Sequence, residues 1–153
     1  AMALLSSNCR DDSAENQRQR QQAIALAKNA GFQGVTRHLM PRLLSEAALQ
    51  DEAIIADVLS MAAAIGRIGF VNQQTAIMGR RAQHDTLASF AAPVLVLCGN
   101  ADVLTPPNMS VEMADLAPQA KLCLLNGIGH LSSIEAPEAV FHALESLFEL
   151  AAD

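Results

Sequence analysis

The sequence predicts an α/β protein with a short parallel sheet of three strands, flanking helices and a helical region after the first strand. Two observations carry most of this prediction. Residues 94–98 and 122–125 are continuous apolar runs of strand length, which is typical of strands that are buried on both faces. Helical patterns alternate with the strand-like runs over short loops. Such alternation indicates parallel strands joined by right-handed crossovers.

The first strand is predicted over Met2–Leu5, a short apolar run that three small polar residues follow. Ser13 is a good N-cap for a helix that reaches residue 29, because its hydroxyl can accept a backbone N–H of the first turn. Gly31 is placed to end this helix. The first half of the helix is polar and is expected to face solvent.

The middle of the chain is predicted to be helical. Pro41 is expected to break the segment after the first helix. Asp51 can cap a second helix through residue 65. Gly66 and Gly79 bracket a third helix, and a short fourth helix is expected over residues 85–90. The apolar stripe of the second helix consists of Ile54, Ile55, Val58, Leu59 and Ala62.

The last third of the chain alternates between strands and helices. After the strand over residues 94–98, Thr105 and Pro106 open a helix to about residue 116, with Pro106 at its first position. Residues 122–125 form the second buried strand, and Pro137 begins the last helix. The apolar face of that helix is predicted to consist of Val140, Leu144, Leu147 and Phe148.

Composition excludes several classes of protein. The 153 residues are 51% hydrophobic and carry a net charge of −6, which does not suit binding to nucleic acid. The longest purely apolar runs have about five residues, whereas a membrane span needs ~20. The start has no recognisable secretory signal. Cys9, Cys98 and Cys123 are too few and too scattered for a disulfide framework or a metal site. We therefore expect a cytoplasmic protein without metal or cofactor.

Two titratable residues follow neighbouring strands. Asp102 lies four residues past Cys98, and His130 lies five past Leu125. The carboxyl ends of parallel strands meet at one edge of a sheet, so their loops can come together. A carboxylate beside an imidazole fixes its tautomer and prepares the other ring nitrogen to accept a proton. Taken singly, each residue is more often structural. The remaining histidines, His38, His84 and His142, have no partner that the sequence implies.

A resemblance to a known family rests on two stretches, PVLVLCGNADVLTPP and LLNGIGHLSSIEAPEAV. Together they resemble the C-terminal part of the α/β-hydrolase family, in which Gly-x-x-Asp-x-x-x-Pro follows one strand and Gly-His with a later Glu-x-Pro follows the next. The matching residues are Gly99, Asp102, Pro106, Gly129, His130, Glu135 and Pro137. The resemblance implies a partial α/β-hydrolase fold, with Asp102 and His130 as catalytic acid and base.

The same resemblance divides the chain into three parts. Residues 1–10 correspond to the sixth strand of the family, residues 11–82 to its helical cap region, and residues 83–153 to the C-terminal core that carries the acid and the histidine. Such hydrolases also need a nucleophile, usually in Gly-x-Ser-x-Gly, and none of the serines here is flanked in that way. The nucleophile and the oxyanion hole are therefore expected outside this chain, which alone should be nearly inert.

Three hypotheses about function follow. The first is the C-terminal portion of a serine hydrolase acting on small-molecule esters, lactones or related acyl compounds, with the missing N-terminal half upstream or on another chain. The second is a non-catalytic remnant that assembles as a homodimer or higher oligomer through the open sheet edge of the first strand. The third is the binding of an apolar ligand near Phe70, Leu104 and Leu131.

Overall fold

The computed structural model describes residues 1–29 and 34–152. It contains the predicted three-stranded parallel sheet, in the order β1-β2-β3, with helices on both faces. Met2 pairs with Val94 across β1 and β2, and Val94 pairs with Ala120 across β2 and β3. The predicted fold class is confirmed. The strands and helices are β1 (Met2–Leu5), α1 (Ala14–Asn29), α2 (Met40–Leu43), α3 (Glu52–Met78), α4 (His84–Ala88), β2 (Val94–Gly99), α5 (Pro107–Leu116), β3 (Ala120–Leu125), α6 (Ser132–Glu135) and α7 (Pro137–Ala152).

The central strand β2 is buried along its whole length, because both faces are covered. On one face Val94 and Val96 pack against Met113 of α5, and on the other Leu95 and Leu97 pack against α7. The prediction of a strand buried on both faces is therefore confirmed for β2. This packing fixes the position of the loop that leaves the strand at Gly99.

The edge strand β3 differs from its prediction as a buried strand. Leu122 and Leu124 are 37% and 45% exposed, whereas Cys123 and Leu125 pack towards α7. The cause is its place at the edge of the sheet, where β2 is its only strand neighbour among the described residues. A short apolar run cannot distinguish such an edge strand from a central one.

The two helix N-caps predicted within residues 11–82 are present; this stretch keeps the name cap region below, as a label for those residues only. Ser13 accepts the backbone N–H of Asn16 through its hydroxyl, at 3.1 Å. Asp51 accepts the N–H groups of Ala53 and Ile54, at 2.9 and 3.3 Å. The predicted stop at Gly31 lies outside the described residues. Two single-turn 3₁₀ helices, Arg37–Leu39 and Ala48–Gln50, complete this region.

Two details of the cap region correct or refine the prediction. Pro41 does not break a segment; it lies in the first turn of α2, where a missing N–H costs nothing. The second and third predicted helices follow each other within α3 and meet at the predicted boundary, Gly66, whose φ of 62° and ψ of −179° are not helical. Glycine adopts this backbone conformation without the steric penalty that other residues meet.

By length and composition alone, α3 could cross a membrane, because its most apolar 18-residue window has a mean hydropathy of 1.8. The helix also has a role within the fold. Ile55 and Val58 are buried in a cluster with Met40 and Leu44, and α3 packs along α1.

Two boundaries in the C-terminal core also differ from prediction. Helix α5 begins at Pro107, one residue later than expected, and Pro106 is its N-cap. In α7, Val140 and Leu147 are buried, but Phe148 is 67% exposed and does not belong to the inner face. Phe148 follows Val140 by eight residues and Leu147 by one, which places it about 80° and about 100° around the helix from these two buried residues.

Candidate acid–base site

The loop after β2 holds a buried carboxylate in one orientation. Asp102 is 3% exposed. Its Oδ1 atom accepts the backbone N–H groups of Leu104 and Thr105, at 2.8 and 2.9 Å. Its Oδ2 atom accepts the Thr105 hydroxyl, at 2.7 Å. Hydrogen bonds to an ionised carboxylate are stronger than neutral ones, so this turn fixes the direction of the acid.

The loop after β3 carries the imidazole to that carboxylate. Nδ1 of His130 lies 2.9 Å from Oδ2 of Asp102 and 3.4 Å from the Thr105 hydroxyl. The backbone N–H groups of His130 and Leu131 both donate to the carbonyl oxygen of Leu43, in the cap region. The imidazole is 23% exposed, whereas the carboxylate side chain is wholly buried. One ring nitrogen is therefore held by the acid while part of the ring reaches the surface.

The two loops meet because the strand ends approach closely. The N–H of Ala101 donates to the carbonyl of Ile128 at 2.9 Å, and the side chain of Asn100 accepts the N–H of Gly127 at 2.7 Å. A methyl group on Gly99 would overlap the carbonyl oxygen of Ile128. The absence of a side chain at Gly99 is thus a condition for the contact between the acid and the histidine.

The surroundings of Asp102 favour its charged form. Burial alone would raise its pKa, but the hydrogen bonds from His130 and from the backbone and hydroxyl of Thr105 outweigh burial and lower the pKa to about 2. The carboxylate is therefore ionised at neutral pH. A fixed negative charge beside Nδ1 stabilises an imidazolium when His130 takes up a proton.

A second carboxylate joins the histidine loop to the cap region. Oε2 of Glu135 accepts the backbone N–H of Ser45 at 3.0 Å and that of Gly129 at 3.1 Å. Oε1 is buried and has no hydrogen-bond partner among the described residues. The sequence identified Glu135 only as part of the family motif, because its partner Ser45 is 90 positions away.

An apolar cavity of about 220 Å³ adjoins this site. It includes Phe70 and Leu131, the residue directly after His130, but Leu104 does not line it. The three residues that the sequence grouped are thus brought together only in part. The cavity is lined by Val35, Leu43, Val58, Met61, Ala62, Ile65, Phe70, Gln73 and Leu131.

Two of the other histidines have partners that the sequence did not reveal. Nε2 of His84 lies 3.0 Å from Glu112, and Nδ1 of His142 lies 2.9 Å from Glu145. The second pair is three residues apart on an exposed helix face and could have been found by helical spacing. The first pair depends on the packing of α4 against α5, which local sequence does not encode.

Comparison with known proteins identifies relatives of the whole arrangement. The α/β-hydrolase family described as TAP-like protein matches residues 71–150, just over half of the chain. A thermophilic esterase from Thermogutta terrifontis is 27% identical with a TM-score of 0.88, and the likeness covers 97% of this chain and 56% of that one. The enol-lactonase from Burkholderia xenovorans has a TM-score of 0.81 at 20% identity over 96% of this chain and 55% of that one, which shows a common fold.

A curated relative is more similar over a shorter stretch. BpoC of Mycobacterium tuberculosis, named as a non-heme bromoperoxidase, is 42% identical over 60 residues, which are 39% of this chain and 23% of that protein. The chain thus spans little more than half the length of the solved structures it resembles, and the aligned stretch is about a quarter of the curated relative.

Proposed function

Because this chain belongs to the TAP-like family of α/β-hydrolases, we propose that it provides the acid and the base of a hydrolase for small-molecule esters, lactones or related acyl compounds. His130 is the general base and Asp102 orients it. The observation that carries the proposal is the 2.9 Å contact between Nδ1 of His130 and Oδ2 of Asp102. Similarity to an esterase supports the reaction class.

The geometry suits proton transfer through the second ring nitrogen. The carboxylate keeps the proton of His130 on Nδ1, which leaves a basic lone pair on Nε2. Nε2 makes no hydrogen bond with residues 1–29 or 34–152. It takes the proton of a hydroxyl nucleophile as that oxygen bonds to the acyl carbon, and then gives it to the departing alkoxide. The charge of Asp102 stabilises the imidazolium between these two steps.

The nucleophile is assigned to a segment outside these 153 residues. None of the eight glycines is followed two positions later by a serine, so the usual elbow sequence does not occur here. Oxyanion-hole donors come in such enzymes partly from the residue after the nucleophile. The proposed whole enzyme therefore combines this chain with a preceding stretch or a second chain, and this chain alone is inactive.

The apolar part of the substrate is assigned to the cavity beside His130. Its lining is apolar except for Gln73, and Leu131 connects it directly to the imidazole. About 220 Å³ accommodates a small acyl or alkyl group rather than a long chain. Phe70 and Leu131 are the contact residues of this proposal, and Leu104 is not.

The direct test restores the missing segment and assays a chromogenic short-chain ester. The 153-residue chain should give no hydrolysis above background, and the extended protein should be active. His130→Ala in the extended protein should lower turnover by several orders of magnitude, since loss of such a base costs roughly 10⁶-fold in a serine hydrolase. His142→Ala is the matched control, because His142 also contacts a carboxylate but is exposed on α7. A folded, extended protein without activity, or fluorophosphonate labelling of the short chain, would contradict the proposal.

The free edge of β1 favours a second candidate, self-association without catalysis. Among the described residues β1 pairs with β2 only. Met2 and Ser6 donate their N–H groups to the carbonyls of Pro93 and Leu97, so by alternation the N–H of Ala3 points to the free edge. We propose that two such edges pair in a homodimer.

Light scattering tests this candidate. The wild-type chain should have twice the monomer mass, and Ala3→Pro should dissociate it, because proline removes an edge donor without removing a hydrogen bond to β2. A wild-type chain that is monomeric at all concentrations would exclude the homodimer. A dimer that Ala3→Pro leaves intact would place the contact elsewhere.

A further inference from the structure

Three side chains with metal-ligating atoms meet on the far side of β2 from α7. They are Cys9 in the loop after β1, His84 at the start of α4, and Glu112 in α5. The thiol, a ring nitrogen and a carboxylate oxygen all lie within 4.8 Å of one another. Cys9 is 3% exposed, whereas the side chains of His84 and Glu112 are 39% and 26% exposed. The cluster is thus buried at the sulfur and open to solvent at the imidazole.

The three residues are held by contacts that leave ligand atoms facing one another. Nε2 of His84 lies 3.0 Å from Oε1 of Glu112. Arg10 donates to the other oxygen, Oε2, at 2.7 Å. The N–H of Gln83 donates to the carbonyl of Cys9 at 2.7 Å, which fixes the cysteine loop beside the start of α4. Neither Arg10 nor Gln83 would have to release its contact for an ion to enter.

We propose that Cys9, His84 and Glu112 form a site for a divalent transition-metal ion of the zinc type, with solvent as the fourth ligand. Zinc bonds of 2.3 Å to sulfur and 2.0–2.2 Å to nitrogen or oxygen imply tetrahedral edges of about 3.3–3.7 Å. The observed separations, from 3.0 Å to at most 4.8 Å, require shifts of about 1 Å. A thiolate with an imidazole selects zinc-type ions over magnesium or calcium, which prefer oxygen.

The site would join the two connections between the sheet and the cap region to a core helix. Cys9 lies on the connection from β1 to α1, and His84 directly follows the connection from α3 to α4. Glu112 belongs to α5, which packs on β2 and begins two residues after Thr105. A metal here would therefore hold the connection from β1 to α1 and the start of α4 against α5. Because α5 begins next to the loop of Asp102, the metal would also fix the position of the cap region relative to that loop. The site shares no residue with the acid–base pair.

Two cations flank the cluster and affect its affinity. Arg10 is bound to Glu112, and Arg80 donates to the side chain of Asn8 at 3.1 Å. A thiolate and a carboxylate together balance the charge of a divalent ion. The two guanidinium groups are therefore not needed for charge balance, and their positive charges repel the bound ion. This repulsion predicts a site weaker than an all-cysteine structural site.

The test titrates the chelator-treated 153-residue chain with Co²⁺ and Zn²⁺. We expect one equivalent of each, a thiolate-to-cobalt charge-transfer band with visible bands of a four-coordinate ion, and a higher melting temperature with Zn²⁺. Cys9→Ser and His84→Gln should each weaken binding by more than about tenfold. Cys123→Ser and His142→Gln are the controls and should leave the metal affinity unchanged. Cys123 is a thiol outside the cluster, and His142 belongs to a second His–Glu pair.

Circular dichroism separates loss of the site from loss of the fold. Because Cys9 packs in the core, Glu112→Gln serves as a second variant that changes only a partly exposed carboxylate. A folded wild-type chain that binds no Co²⁺, or that binds it without the thiolate band, would overturn the proposal. Equal affinity in wild type and in folded Cys9→Ser or Glu112→Gln would also overturn it.

Discussion

Nδ1 of His130 and Oδ2 of Asp102 lie 2.9 Å apart, although the residues are 28 positions apart and belong to different strand ends. The contact joins a wholly buried carboxylate to a partly exposed imidazole. The other hydrogen bonds to that carboxylate come from its own loop, at Leu104 and Thr105, and from the thiol of Cys98 at the end of β2, which lies 3.9 Å from Oδ2. The acid is therefore held by local structure, and the histidine is held against it by the approach of the second loop.

Asp102 should make the stability of the protein sensitive to acid. Its pKa in the folded chain is lowered to about 2 from an ordinary value of 3.8. A lowered pKa contributes stability above the unfolded value, and that contribution is lost as the pH falls through the folded value. We expect about 2 kcal/mol of unfolding free energy to disappear between about pH 4 and pH 2. Urea denaturation across this range measures it.

Asp102→Asn isolates this contribution from that of the other carboxylates. The variant should lack the part of the acid-dependent loss that is due to Asp102, about 2 kcal/mol between about pH 4 and pH 2, and it should be less stable than wild type at neutral pH. Its amide N–H₂ would face Nδ1 of His130 and favour the tautomer with the proton on Nε2. In the extended enzyme this wrong tautomer should lower turnover by about 10⁴. Identical acid denaturation of the two proteins would mean that Asp102 has an ordinary pKa.

The hydroxyl of Thr105 should account for part of the lowered pKa of Asp102. It donates to Oδ2 at 2.7 Å, so Thr105→Val should raise the pKa of Asp102 and begin the acid-dependent loss at a higher pH. Loss of a hydrogen bond to a charged group also costs about 1.5–3 kcal/mol at neutral pH. Thr105→Ser keeps the donor and is the control. Carboxyl titration by NMR measures the pKa directly, and equal values in Val and Ser variants would exclude this role.

Gly99 should tolerate no side chain, because the histidine loop passes directly over it. Gly99→Ala would place a methyl group onto the carbonyl oxygen of Ile128, so the two loops must separate. We expect a loss of about 1–3 kcal/mol, as for overpacking in a core. The imidazole signal should also change, since Asp102 and His130 would move apart. Gly79→Ala is the matched control, because a methyl group there meets its nearest atom at 3.7 Å. Similar stability of both variants would contradict the close approach.

The sequence predicts the features that local periodicity and strand direction determine. The parallel sheet follows from apolar runs separated by helices, and the meeting of Asp102 with His130 follows from the rule that parallel strand ends share an edge. The caps at Ser13 and Asp51 follow from residue chemistry at helix starts. These features depend only on residues that are close in the sequence or on the parallel direction of the strands.

Features that depend on packing between distant elements are not predicted. The same kind of apolar run gives a buried β2 and a half-exposed β3, because exposure depends on which helix covers each strand. The approach of Cys9, His84 and Glu112 joins residues 75 and 28 positions apart, and the spacing of cysteines and histidines does not encode it. The expectation of no metal site rests on spacing along the sequence, and that spacing does not report which side chains approach one another in the fold.

Glu135 should couple the histidine loop to the cap region. It accepts the N–H groups of Ser45 and Gly129, and a methyl group on Gly129 would lie 2.6 Å from the nitrogen of Ser45. Glu135→Ala would leave both donors without their partner, at about 1–3 kcal/mol each. Glu135→Gln keeps one oxygen and should lose less. Hydrogen exchange measures the two amides, and both should exchange faster in the alanine variant. Unchanged exchange of the Ser45 amide in a folded alanine variant would show that the Glu135 carboxylate does not connect the histidine loop to the cap region.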